Sequence, residues 1–304
     1  MYNYKTGLIG AGKVGCSIAI GLKKKNIELS GIYTKSQGSL DYLNDKLNTN
    51  FRNDLENTVE SSEVIFIATS DSELEYITRQ IINLKEISIK GKCFFHLSGA
   101  LDSDELNLLN WQGAFTGSLH PIQTFANKKE GWKGLENIYF GFEGSLEARK
   151  IAAKFATLFE GYILLIKKDA KRLYHIAACF ISNYLVSLAY TSEKLFELAG
   201  IDKKVGLDAF EPLVKNTLEN IYKMGTVNAL TGPVSRGDIN TIAEHISSLH
   251  KNNSDLLDLY NSLGKITTEI AYKKKTIDKY SLEKMNTMFS KKDVTNENKI
   301  DEEE

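Results

Sequence analysis

Through the first half of the chain, short apolar runs alternate with amphipathic stretches. Residues 4–9, 28–33, 64–68, 93–97, 114–119, 137–142 and 162–166 read as strands. Helical spacing covers 13–25, 39–47, 72–84 and 146–159. Strands alternating with helices predict a doubly wound, mostly parallel sheet covered on both faces. The pattern changes near Lys167. One long helix is predicted over 169–199, with Asp169 as its N-cap and Gly200 as its stop. Helices at 207–224, 240–250 and 254–273 follow, and no strand signal comes after Ile166. The expected organisation is an α/β domain over 1–167, an all-α domain over 168–289, and a charged, disordered tail over 290–304.

The first strand runs into GLIGAGKVG, which places Gly10, Gly12 and Gly15 in a GxGxxG pattern opening a helix. Glycine is required at each place for a different physical reason. Gly10 makes a tight turn, Gly12 lets backbone approach a pyrophosphate closely, and Gly15 lets helix pack on strand. The N–H groups of Lys13, Val14 and Gly15 at the helix start then face the phosphates. This is the signature of a Rossmann dinucleotide site. NAD binders place an acid at the end of the second strand. Here the stretch is Tyr33, Thr34, Lys35, Ser36. A lysine and two hydroxyls suit a 2′-phosphate, so NADP(H) is expected over NAD(H), although Lys35 also reads as an ordinary solvated lysine. Thr69 and Ser70 follow the most apolar strand and are expected to line the cofactor, with Asp71 capping the next helix.

Composition narrows the picture without redirecting it. The 304 residues are 42% hydrophobic with a formal charge of -1. That is enough for a sizeable core, and it offers no basic excess for nucleic acid. Cys16, Cys93 and Cys179 are scattered, which argues against a disulfide framework or a structural zinc. No metal site is expected. The N-terminus lacks the form of a signal peptide, and no stretch reads as a bilayer span. A soluble, cytoplasmic protein is expected.

Carbonyl reduction beside a nicotinamide needs a proton donor and groups that fix the substrate. Lys171 and His175, four apart, share a helix face, and Asn183 lies further along the same helix. Lys171 is the candidate general acid, because desolvation would lower its pKa. Ser98 and His120, at strand C-termini, and Arg236 in LTGPVSRGD are candidate substrate ligands. Each has a plainer reading. Lys171 also reads as an exposed helix start, His175 as a structural hydrogen-bonder, Asn183 as a packing residue, and Gly237 with Asp238 as a capping loop.

FHLSGAL at 95–101, GSLHPIQTF at 117–125, YHIAACFISNYLVSL at 174–188 and LTGPVSRGD at 230–238 occur in order. Together they resemble bacterial proteins that join a Rossmann-like domain to a dimerising C-terminal domain long of unknown function. The wider superfamily holds 6-phosphogluconate dehydrogenase, β-hydroxyacid dehydrogenases, pyrroline-5-carboxylate reductase and ketopantoate reductase. The resemblance implies a homodimer through the helical domain and a site between the domains. It also implies reduction of a small 2-oxo acid, with 2-dehydropantoate (ketopantoate), the precursor of pantoate in pantothenate synthesis, as lead substrate. Ketopantoate reductases carry a catalytic Lys followed four residues later by Asn. Lys171 matches the first, and His175 stands in place of the second, with Asn183 or His120 able to supply the missing hydrogen bond. An imine reductase resembling pyrroline-5-carboxylate reductase and a non-catalytic NADP-binding sensor are the alternatives.

Overall fold

A computed structural model of the chain describes residues 1–84 and 86–290. It divides into two compact units, Met1–Asn183 and Tyr184–Glu304. The expected tail lies, apart from Ser290, outside the described residues.

The first unit holds β1 (Thr6–Ile9), α1 (Lys13–Lys24), β2 (Leu29–Tyr33), α2 (Gln37–Leu47), α3 (Leu55–Glu60), β3 (Val64–Ile67), α4 (Asp71–Ile82) and β4 (Cys93–His96). It continues with α5 (Asn107–Trp111), β5 (Phe115–Pro121), β6 (Tyr139–Gly144), α6 (Leu146–Leu158), β7 (Tyr162–Leu165) and α7 (Lys171–Ile181). The strands form one seven-stranded sheet in the order β2-β1-β3-β4-β5-β6-β7. Every neighbouring pair is parallel except β5 with β6. The central strands β1, β3 and β4 are fully buried, which is why VIFI and CFFH are continuous apolar runs rather than alternating ones. One core cluster packs Leu8, Phe66, Phe95 and Phe155, and another packs Ile9, Ile65, Phe94 and Ile77, so the sheet is covered on both faces.

Because β1, β3, β4 and β5 run the same way, their C-terminal ends share one edge of the sheet. Gly10, Thr69, Ser98 and His120 all lie there. In such sheets this is the edge where ligands bind.

The second unit is helical: α8 (Asn183–Leu198) begins at the boundary, and α9 (Lys203–Ala229), α10 (Pro233–Arg236), α11 (Ile239–Asn252), α12 (Asp255–Lys273) and α13 (Lys279–Met288) follow. Its core gathers Val234, Ile242, Ala271, Met285 and Phe289.

Several expectations need correction. The single helix over 169–199 is two, ending at Ile181 and resuming at Asn183, with Ser182 distorted between them (φ -115°, ψ -68°). Asp169 sits in a 3-10 turn, and Ala170 occupies the N-cap of α7 without a side-chain bond. Gly200 does take a positive φ of 75° just after α8, as a stop requires. Helices α3 and α13 were not anticipated, and α9 is much longer than 207–224, with a break at Gly225 (φ 79°). The change to helix comes after β7, yet the compact unit runs on to Asn183, because α7 is tied to the sheet through Lys171. By length and composition the helical run Lys168–Leu198 is long and apolar enough to cross a membrane, contrary to the expectation that no stretch would be. The break at Ser182 interrupts that run.

Candidate functional site

The first part of the site is built from backbone. Gly10 takes φ +96°, and a Cβ there would lie 2.7 Å from the Ala68 carbonyl, so the turn between β1 and α1 admits only glycine. A Cβ on Gly15 would collide with the Gly10 carbonyl oxygen, so this glycine sets how closely α1 crosses β1. Gly12 differs: a Cβ there meets nothing nearer than 4.0 Å. The protein itself does not need glycine at that position, whereas a group lying against the turn would. Gly12 is the N-cap of α1 and makes no side-chain cap bond, so the N–H groups of Lys13, Val14 and Gly15 have no partner within the helix.

A cavity of about 260 Å³ opens beside this turn. Gly10, Gly12, Thr34, Lys35, Thr69 and Ser70 line it. The Thr69 hydroxyl is buried without a hydrogen-bond partner, a costly state unless a ligand satisfies it. An open cradle at Gly12, free helix-terminal N–H groups and an orphaned hydroxyl are what a dinucleotide phosphate would use, and these residues fit such a group.

The nucleotide-selecting end departs from expectation. Ser36 is the N-cap of α2, its hydroxyl accepting from the Ser39 N–H, and it is not on the cavity wall. The Lys35 ammonium is paired with the Glu73 carboxylate and stands 5.0 Å from the Tyr76 ring centroid. The Glu73 bond raises the Lys35 pKa. Glu73 and Tyr76, both on α4 and on the cavity wall, went unnoticed because they lie about forty positions beyond Lys35 in sequence. Asp71 does not cap α4: Ser70 is the N-cap, and Asp71 instead accepts from the Ser98 hydroxyl at 2.9 Å.

The second part of the site is built from side chains at the ends of β4 and β5. Lys171 is 1% exposed, and its Nζ donates to Ser118 Oγ at 2.6 Å, whose hydroxyl in turn donates to the Ser98 carbonyl at 3.2 Å. Burial lowers the Lys171 pKa to about 8, against the opposing pull of Glu143, Asp102 and Asp71. Glu143 stands opposite Ser118 in the β5–β6 ladder and accepts from both the N–H and the hydroxyl of Ser103 at 2.7 and 2.8 Å. Lys171 is therefore not an exposed helix start, and its ammonium is engaged by a serine.

His120 and Tyr174 form a second pair, Nδ1 to Oη at 2.7 Å. Room for it comes from Gly141, opposite His120 in the ladder, where a Cβ would lie 2.7 Å from Tyr174 Oη. Burial, then the Lys171 cation and His175, lower the His120 pKa to about 4. Burial raises that of Tyr174 to about 12. His175 packs on Gly99, where a Cβ would lie 2.5 Å from Nδ1, and that nitrogen is buried and unpartnered. Its Nε2 is 3.8 Å from Cys179 Sγ. His120, His175, Ser182 and Asn183 line a cavity of about 470 Å³ with Gln123, Thr124 and Phe125.

Ser98 is fully engaged: its hydroxyl donates to Asp71 and its oxygen accepts from the Ala100 and Leu101 N–H groups at 3.1 and 3.0 Å. It holds the β4 turn and has no donor left for a substrate. Arg236 is exposed at the end of α10 in the second unit, and Asp238 caps α11 through the Thr241 N–H at 3.1 Å. His96, not anticipated, is buried, accepts from the Ser98 N–H and lies 2.9 Å from the Asp102 carbonyl. Burial lowers its pKa to about 4. Ser118 shares a strand face with His120, two positions on, and that spacing in GSLHP was the available signal for it. Tyr174 had none beyond its place between Lys171 and His175.

Residues 2–121 match the model of the Rossmann-like domain, and residues 138–267 match the Domain of unknown function (DUF2520). The chain joins a Rossmann-like domain to a DUF2520 domain. No curated protein matches it in sequence. Among solved structures it is similar to protein BF3122 from Bacteroides fragilis, with 21% identity, TM-score 0.72, and 88% of this chain and 99% of that one covered. Protein TM1727 from Thermotoga maritima matches with 25% identity, TM-score 0.69, and coverage of 89% and 99%. The Plasmodium falciparum pyrroline carboxylate reductase, solved with NADP bound, matches with 16% identity, TM-score 0.54, and coverage of 95% and 100%. At 21% and 16% identity, the first and the last of these speak to the fold alone.

Proposed function

We propose that the chain is an NADP(H)-dependent reductase of a small carbonyl acid, with 2-dehydropantoate as the first substrate to try. The observation that carries the reading is the cradle at Gly12, open to a ligand and blocked by no protein atom, beside the orphaned Thr69 hydroxyl. The NADP held by the Plasmodium reductase of similar fold supports the same cofactor. When bound, the reduced nicotinamide supplies a hydride.

The chain's own residues do the rest. Gly10 and Gly15 fix the turn, and the N–H groups at the start of α1 receive the phosphates. Lys35 offers its ammonium to a 2′-phosphate in exchange for Glu73. The cavity between β5 and α7 takes the substrate, with Asn183 and His120 on its wall. Strands β1 and β5 are three neighbours apart, ~14 Å at ordinary strand spacing, so both parts of the site lie along one edge.

A second reading follows from Lys171. An imine nitrogen arrives already protonated and needs no ammonium donor. The burial of Lys171 and its engagement by Ser118 therefore suit an imine such as pyrroline-5-carboxylate. Calorimetric titration with NADPH, followed by NADPH oxidation with ketopantoate and with pyrroline-5-carboxylate side by side, tests both. Absence of NADPH binding would end the reductase reading in either form.

We propose that a second copy of the chain covers the apolar surface of α8 and α9. Val186, Val205 and Leu213 are 60% or more exposed, and exposed apolar surface of this kind marks an interface. Sedimentation at several concentrations would show a dimer.

A further inference from the structure

We propose that, in the reductase reading above, on which this inference rests, His120 is the catalytic proton donor and Tyr174 refills it, while Lys171 acts only through its charge. Three observations converge. His120 is on the cavity wall, and its Nδ1 is occupied by Tyr174 Oη at 2.7 Å. With the hydroxyl donating to Nδ1, the ring's proton sits on Nε2, the nitrogen left for a substrate oxygen. Two residues are glycine where a side chain would crowd this pair. A Cβ on Gly141 would strike Tyr174 Oη, and a Cβ on Gly99 would come within 3.1 Å of His120 Nε2. Lys171 Nζ is bound to Ser118 and lies 5.6 Å from the Tyr174 ring centroid, close enough to stabilise negative charge on that ring without touching a substrate.

The depressed basicity of His120 keeps the ring neutral near pH 7, as the relay requires. As the carbonyl carbon gains the hydride, the π pair of the C=O bond moves to oxygen. That oxygen takes the proton of His120 Nε2, and the N–H pair stays with the ring. Nδ1 takes the Tyr174 hydroxyl proton in the same movement, so no imidazolate accumulates. The tyrosinate beside the Lys171 ammonium then takes its proton back from Nδ1 as water protonates Nε2, which restores the starting tautomer and releases hydroxide to solvent. One proton and one hydride reach the substrate, and the dinucleotide is oxidised by two electrons.

The test uses the full-length protein, NADPH and ketopantoate, the carbonyl substrate on which the relay acts; a wild type that reduces only the imine overturns the relay. His120→Ala should lower kcat at least about 100-fold, the lower range for loss of general acid catalysis, with NADPH affinity unchanged. Tyr174→Phe should lower kcat while leaving KM near wild type. Nitrogen-15 spectra of labelled histidine give an activity-free readout: His120 should be the neutral Nε2–H tautomer at pH 7, and Tyr174→Phe should release Nδ1 into a tautomer mixture. Wild-type turnover with His120→Ala, or an Nδ1–H tautomer in the wild type, overturns the relay and leaves the reductase reading standing. A wild type that binds no NADPH and reduces neither substrate removes that reading, and the relay with it.

Discussion

The turn at β1–α1 and the cluster at β5–α7 sit on the same edge of one sheet and are made in opposite ways. The turn is backbone: its three glycines matter for what they lack, and its donors are amide groups fixed by the helix. The cluster is side chain. An ammonium, two histidines, a tyrosine and a carboxylate are held out of water by elements far apart in sequence, and Lys171 bonds a serine 53 positions away. The first arrangement is stiff and insensitive to pH. In the second, burial shifts the protonation of Lys171, His120 and Tyr174.

Substitution should separate the two. The largest contrast lies within the turn itself. Gly15→Ala forces a Cβ into the Gly10 carbonyl and should lower Tm and abolish NADPH binding together, whereas Gly12→Ala meets open space. It should leave Tm within a degree or two of wild type yet weaken NADPH at least tenfold, about 1.4 kcal/mol. Equal loss of Tm in both variants, followed by thermal melts without ligand, would show that Gly12 serves packing after all.

In the cluster the sign reverses. A lysine whose pKa falls to about 8 in the folded state loses stability wherever it is charged. The cost is constant below pH 8, about 3 kcal/mol if the unfolded value is that of a free lysine. It fades as pH rises from about 8 to 10.5, where the unfolded chain binds the extra proton. Lys171→Met should therefore raise the denaturation midpoint at pH 7, abolish the gain in stability across that alkaline window, and slow turnover. A midpoint that drops at pH 7 would mean that the Ser118 bond outweighs the desolvation.

The smallest effect is expected at the rim. Lys35 and Glu73 are exposed, so neither should change stability measurably. Lys35→Ala should lower the preference for NADPH over NADH by about tenfold, and Glu73→Gln should tighten NADPH, since a 2′-phosphate no longer competes with a carboxylate. Kd values for both dinucleotides decide it.

How legible each region was follows from the same contrast. The glycine turn is local: strand, spacing and helix start stand within fifteen residues, so motif and geometry agree. Lys171, His120 and His175 were recognisable as polar residues in apolar surroundings, but their partners were not. Ser118, Glu143 and the pairing of Tyr174 with His120 come about only through strand order and the β5–β6 register, which no window along the chain contains. Ser98 misled for the same reason: its position after a strand is right for a ligand, and its hydroxyl is consumed by Asp71 across 27 positions.

Strand β6 is the one that turns back against β5. Gly141 and Glu143 stand two apart on it, so both point to the same side, facing His120 and Ser118. A slip of one position would swing both away and drive Phe142 into the space the tyrosine uses. The connection over 122–138 is itself tied down, with Leu135 buried in the core and Lys128 bonded to Ser39, while the reversed strand acts as the gauge block that sets the spacing around His120 and Ser118.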